Sequence, residues 1–194
     1  SSLIKYNTLA NSIILLDEVQ SIPYKYWKII NRLFIEMAER LNIYFILITA
    51  TQPLIFEKSE ISELASKSEE YFSSYKRTKL IVQEDPMNKE EFFKFAEKII
   101  LENQDKNILF ITNTIKLSQE LYKSLEELED NRELEYLSTS IVPIERRNRI
   151  DKIKKSKRKM IVVSTQLVEA GVDIDMDIVI RDIAPLDSIN QSAG

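Results

Sequence analysis

Apolar residues in this chain fall into short unbroken runs separated by stretches of helical spacing. Ile13-Ile14-Leu15-Leu16 predicts a buried strand at Ser12–Leu16, and Ile43–Ile48 predicts a second. Between them Trp27, Ile30, Phe34, Met37 and Leu41 recur three or four positions apart, the mark of one apolar helix face over Tyr24–Leu41. Pro53 stops any ladder soon after the second strand. Further along, helical spacing at 89–102, 115–128 and 144–155 alternates with apolar runs at 107–111, 134–137, 160–163 and 177–181. Strands alternating with helices predict an α/β fold, a parallel sheet covered on both faces.

The pattern lapses between Glu57 and Ser74, where Ser, Glu and Lys dominate and only Ile61, Leu64 and Ala65 suggest a stripe. The expected organisation is a first domain at 1–56, a linker at 57–77 and a second domain at 78–194. Lys79–Gln83 is the strand expected to open that second domain.

Composition narrows the chemistry. Of 194 residues, 44% are hydrophobic and 30% charged, and net charge is −4, so any nucleic-acid partner must be met by a local patch. Histidine and cysteine are absent, which removes histidine catalysis and thiol metal sites and fits a cytoplasmic protein. No apolar run approaches the ~20 residues of a membrane helix, so no membrane partner is expected. The two glycines, Gly171 and Gly194, cannot build a G-x-x-x-x-G-K-[ST] phosphate loop.

Against that background a few clusters carry chemistry. Asp17 and Glu18 close the first strand, the layout of a magnesium-holding carboxylate beside one that polarises water. Thr112-Asn113-Thr114 lies between a strand and a helix, where amides and hydroxyls suit a phosphate and also ordinary capping. Ser138-Thr139-Ser140 precedes Pro143 and a basic stretch in which Asp151 is the only acid from Arg146 to Lys159. Of that stretch Arg146 and Arg147 are the expected phosphate contacts, and the later lysines are expected to be a solvated face. Thr165 and Gln166 can reach a nucleic-acid backbone from a strand end, Gly171 permits a turn, and Asp173 can accept from a ribose.

Taken in order, Asp17-Glu18-Val19-Gln20, Thr49-Ala50-Thr51, Thr112–Thr114, the Ser138–Arg147 segment, Ser164–Asp175 and Asp187–Gly194 resemble motifs II to VI of a superfamily 2 (DExD/H-like) helicase. Leu137–Arg147 and Val163–Asp175, supported by Ala184–Asp187, resemble the helicase portion of the CRISPR-associated helicase-nuclease of type I systems. Ser140 stands where that family commonly has histidine, and Ser192 where it often has arginine.

The resemblance implies two RecA-like lobes, a partial first and a second truncated at motif VI, so that the chain is expected to be a piece of a longer protein. It implies catalytic roles for Asp17, Glu18 and Gln20, with magnesium held by Asp17 through water, and coupling roles for Thr49 and Thr51. Nucleic acid would meet Thr112, Asn113, Thr114, Ser138, Thr139, Arg146, Arg147, Thr165 and Gln166; nucleotide would meet Gly171, Asp173 and Gln191. The implied activity is an ATP-driven translocase on single-stranded DNA in antiviral defence, recruited to a guide-RNA surveillance complex and working with an HD nuclease domain or subunit. Without the phosphate loop the chain is expected to turn over no ATP by itself. Another superfamily 2 translocase, or a non-catalytic nucleic-acid-binding domain, are the alternative readings.

Overall fold

The computed structural model describes residues 6–49, 55–65, 78–169 and 172–193. The chain divides into two compact units, Ser1–Lys76 and Arg77–Gly194.

In the first unit a short helix α1 (Tyr6–Leu9) leads into β1 (Ile13–Asp17), which pairs in parallel with β2 (Tyr44–Ile48), Ile13 opposite Tyr44 and Asp17 opposite Ile48. A 3-10 turn at Tyr24–Tyr26 runs into α2 (Trp27–Leu41), so the expected helix starts as a tighter coil. Asn42 ends α2 in the left-handed region at φ 51°, as a C-terminal cap does. Phe34 of α2 stacks on Phe45 of β2 with ring centroids 4.3 Å apart. This covers one face of the pair. The other stays open: Ile13 and Leu15 are 63% and 62% exposed. The expectation of two fully buried strands is therefore corrected. An apolar run satisfies a two-sided sheet, and among the described residues of this unit only one side is covered.

The second unit holds β3 (Ile108–Ile111), β4 (Glu133–Leu137), β5 (Met160–Ser164) and β6 (Ile178–Arg181) in the order β4-β5-β3-β6, every pair parallel. Helices α3 (Lys89–Glu102), α4 (Ile115–Glu126), α5 (Pro143–Lys155) and α6 (Leu186–Ala193) complete it. Local chemistry sets their starts. Asn88 and Glu91 form a reciprocal capping box at α3, Thr114 Oγ1 accepts from the Leu117 amide at α4, and Pro143 opens α5. One sheet face packs Ile108, Phe110, Tyr136, Ile161 and Val163 against Ala96, Ile100, Leu121 and Leu125. The other packs Leu109, Ile111, Leu137 and Val162 against Ile153 and Val168. The period-2 alternation of a strand fills both layers from unbroken apolar runs.

One expected strand is absent. Lys79–Gln83 forms no strand, and Leu80, Ile81 and Val82 are exposed. β-propensity needs a ladder to act on, and among the described residues no strand lies alongside it. No helix of the described residues is long and apolar enough to cross a membrane.

Candidate functional site

All four strands of the second unit run the same way, so their carboxyl ends form one edge, the place where open α/β sheets bind ligands. Thr112, Ser138 and Thr165 follow β3, β4 and β5 there. They are held side by side: the Thr112 amide donates to Ser164 O at 3.0 Å, and the Thr165 amide to Leu137 O at 3.3 Å. All three are buried. Thr112 Oγ1 donates to Thr114 O (3.2 Å), and Ser138 Oγ accepts from the Ser140 amide (3.2 Å). In this state these two hydroxyls shape the loops, leaving Asn113, Thr114, Thr139 and Gln166 as the exposed part of the set.

Asn113 ties that edge together. Its Nδ2 donates to Ile183 O at 2.6 Å, and its amide to Asp182 Oδ2 at 3.3 Å. Gln166 Nε2 in turn donates to Asn113 O and Oδ1 at 3.1 and 3.2 Å. Thr112, Asn113, Thr165 and Gln166 are thus brought into one cluster, with Ser138 joined through Leu137. Asp182 is a member that the sequence pattern did not single out. Its signal was an acid directly after β6, in the position Thr112 holds after β3.

Geometry sorts the basic stretch by partner. Arg149 pairs with Glu145 at 3.0 Å, Lys154 with Asp173 at 3.8 Å and Lys159 with Asp177 at 3.3 Å. Lys152 reaches the buried Glu135 and also Glu133, and its hydrogen bond to Glu135 holds the ammonium above the ordinary lysine range. Among the described residues, Arg146 and Arg147 have no carboxylate partner. They sit in the first two turns of α5, straight after the Ser138–Ser140 turn, where the Ile141 amide donates to Ser138 O.

Of the candidate nucleotide contacts, Asp173 lies apart from this cluster, whereas Gln191 sits on α6, which packs against the 3-10 turn Gln166–Glu169. Over 172–176 burial alternates, with Val172, Ile174 and Met176 packed on the sheet and Asp173 and Asp175 exposed. Asp173 borders a cleft of about 440 Å³ with Asn107, Lys154, Lys157 and Met160, at the amino ends of β3 and β5. Gln191 is half-buried on α6. Gly171 lies outside the described residues.

In the first unit, Asp17 ends β1 and is exposed. Glu18 follows in the left-handed region at φ 55°, ψ 39°, and its amide donates to Asp17 Oδ1 at 2.9 Å. That conformation costs a non-glycine residue about 1–2 kcal/mol. It turns the chain from the strand into the 3-10 turn Val19–Ser21, anchored by buried Val19 and by the Ser21 amide donating to Glu18 O at 2.9 Å. The pairing of Asp17 with Ile48 brings Thr49, half-buried, to the same strand end. Gln20 lies in the turn, and Thr51 lies outside the described residues. Among the described residues no group of three or more carboxylates or other ligands could cage a metal. An exposed carboxylate at a strand end, with a second beside it in sequence, fits magnesium held by one or two carboxylates, water and substrate phosphates.

Residues 104–194 match the family described as CRISPR-associated nuclease/helicase Cas3, C-terminal. The CRISPR-associated nuclease/helicase Cas3 of Methanothermobacter thermautotrophicus is 27% identical over 194 residues, covering 93% of this chain and 23% of that protein. The chain spans about a quarter of the length of such full-coverage relatives, 27% in the Methanocaldococcus jannaschii case. Among solved structures, T. fusca Cas3-ATP superposes with a TM-score of 0.69 at 18% identity, over 96% of this chain and 27% of that one. A Saccharomyces cerevisiae Dbp5 variant bound to RNA and ADP BeF3 superposes with a TM-score of 0.56 at 17% identity, over 94% of this chain and 49% of that one. These structural likenesses establish the fold as RecA-like α/β.

Proposed function

We propose that this chain, whose residues 104–194 match the C-terminal family of the CRISPR-associated nuclease/helicase Cas3, forms part of an ATP-dependent motor that moves on single-stranded DNA. The carboxyl edge of the second unit's sheet is its grip on the strand. The observation that carries this reading is the sorting of charge. Among the described residues Arg146, Arg147, Lys155 and Lys157 stand without a carboxylate partner, and of these only the two arginines follow directly on the hydroxyl-rich turn; Arg149, Lys152, Lys154, Arg158 and Lys159 are paired with carboxylates. Thr114, Thr139 and the Asn113–Gln166 pair supply neutral donors next to those cations.

The first unit contributes the hydrolytic carboxylates. Asp17 would hold magnesium, which when bound supplies charge neutralisation on transferring phosphate. Glu18, placed by its left-handed backbone, accepts the proton of the attacking water. Thr49, at the neighbouring strand end, and Thr51 pass the state of that site to the nucleic-acid grip. Gly171, Asp173 and Gln191 are the proposed nucleotide contacts. This chain has no G-x-x-x-x-G-K-[ST] loop, so turnover belongs to the longer protein, together with an HD nuclease and recruitment to a guide-RNA complex in the cytoplasm.

The test is binding of the 194-residue chain to a labelled single-stranded oligonucleotide across a salt series. Affinity should fall steeply with salt, and Arg146→Ala with Arg147→Ala should weaken binding to all sequences. For every phosphate that is no longer neutralised, the log–log salt slope should flatten by about 0.7. Unchanged affinity and slope in the double variant would remove this edge as the grip.

A further inference from the structure

The loop from β4 into α5 carries a second kind of surface beside the two arginines. Val142 and Ile144 are 62% and 67% exposed, whereas their neighbour Ile141 packs onto the core. Single exposed aliphatics are ordinary, but these two have a defined relation to charge. The Arg146 amide donates to Val142 O at 3.0 Å, one helical turn apart, and Ile144 lies three positions before Arg147. Positions three or four apart share a helix face, which places Arg147 on the side of Ile144 and Arg146 one turn on from Val142. Glu145, the acid in between, is taken up by Arg149 at 3.0 Å and does not oppose an anion here.

Resting on the reading of this edge as the grip, we propose that Val142 and Ile144 contact the base faces of a single strand while Arg146 and Arg147 hold its phosphates. A cation beside an apolar patch matches the two halves of a nucleotide, an anion and a flat apolar ring. In a duplex the ring faces are stacked away and only the phosphates are on offer, so this pairing favours single strands. Such contacts are sequence-tolerant, because every base presents a face. The grip then has two separable components: one screened by salt, one that survives it.

The experiment compares binding of the full 194-residue chain to an oligo-dT strand and to an abasic strand of equal length, at low and moderate salt. The unaltered chain should bind oligo-dT roughly 3- to 10-fold more tightly than the abasic strand, less than aromatic stacking platforms achieve. Val142→Ser with Ile144→Ser should erase that ratio and leave the salt slope alone. Arg146→Ala with Arg147→Ala should weaken both strands and preserve the ratio. Equal affinities for the two strands, or a ratio that survives the serine variants, overturns the inference but leaves the phosphate grip standing. Binding to neither strand overturns the grip as well.

Discussion

The guanidinium of Arg132 embraces the carboxylate of Asp130, Nε to Oδ1 at 2.9 Å and Nη2 to Oδ2 at 2.7 Å, with side chains only 5% and 12% exposed. The remaining donors go to backbone carbonyls: Asn103 and Lys106 from Nη1 at 2.7 and 3.0 Å, and Ile100 from Nη2 at 2.7 Å. All five guanidinium protons have acceptors, a satisfaction that only a planar fork provides. The group ties the carbonyl end of α3 and the turn after it to the start of β4.

Arg132→Ala should therefore destabilise the second unit by about 3–5 kcal/mol, the usual cost of breaking a buried pair and stranding its partner. Arg132→Lys should recover only part, since an ammonium cannot serve the carboxylate and three carbonyls at once. Urea denaturation followed by circular dichroism measures both. A loss under about 1 kcal/mol for the alanine variant would show the cluster to be incidental.

Acid should act on the same pair. The hydrogen bond from Arg132 holds the Asp130 carboxyl below its ordinary value, against burial that pushes it up. A depressed folded-state value adds stability that is present above the unfolded value, near about 3.9, and is lost as pH falls through the lower, folded one. Asp177, lowered chiefly by the Asn107 amide that donates to it at 2.7 Å, loses its contribution in the same direction. Asp130→Asn should cost stability at neutral pH, and its deficit should shrink as pH drops below about 4. A deficit constant from about pH 7 to about pH 2 would contradict the linkage.

The elements legible in the sequence are those whose partners are close in character. Ile108–Ile111 and Met160–Ser164 read as apolar runs because both of their faces are buried, and Thr114 and Pro143 announce their helices, whereas the Asn88 cap emerged only with the structure. Ile13–Leu16 reads the same way yet has one open face, because a run cannot report whether a second layer is present. Lys79–Gln83 has strand chemistry without a ladder. At the site, Thr112 and Thr165 were visible as hydroxyls after strands. Their burial, and the Gln166–Asn113 contact across 53 positions, depend on β3 lying beside β5, which local pattern does not encode.

The open face makes a dynamic prediction. β1 alternates exposed and half-buried positions, whereas all four residues of β3 are buried between two layers. Local opening should be easier where less apolar packing must be broken. Amide exchange of the 194-residue chain as a monomer should be faster in Ile13–Leu16 than in Ile108–Ile111. Equal or stronger protection in β1 would mean that something covers its open face in solution.

The final prediction concerns Asp17 and Glu18 in the proposed longer motor protein. The Glu18 amide donates to Asp17 Oδ1, so the backbone of one residue orients the carboxylate of the other, yet their proposed tasks differ. Glu18→Gln keeps shape and removes the base, and should lower single-turnover ATP hydrolysis by ~10²–10⁴ while leaving nucleotide affinity near normal. Asp17→Asn weakens the metal contact and should reduce nucleotide affinity as well as rate. Glu18→Gly separates catalysis from backbone strain. It suits φ 55°, so the fold should hold or gain up to about 1 kcal/mol, yet hydrolysis should fail as it does with glutamine. Near-normal hydrolysis in Glu18→Gln would remove Glu18 from the reaction. A fold lost in Glu18→Gly would show that its side-chain contacts, rather than its catalytic task, keep glutamate at this strained turn.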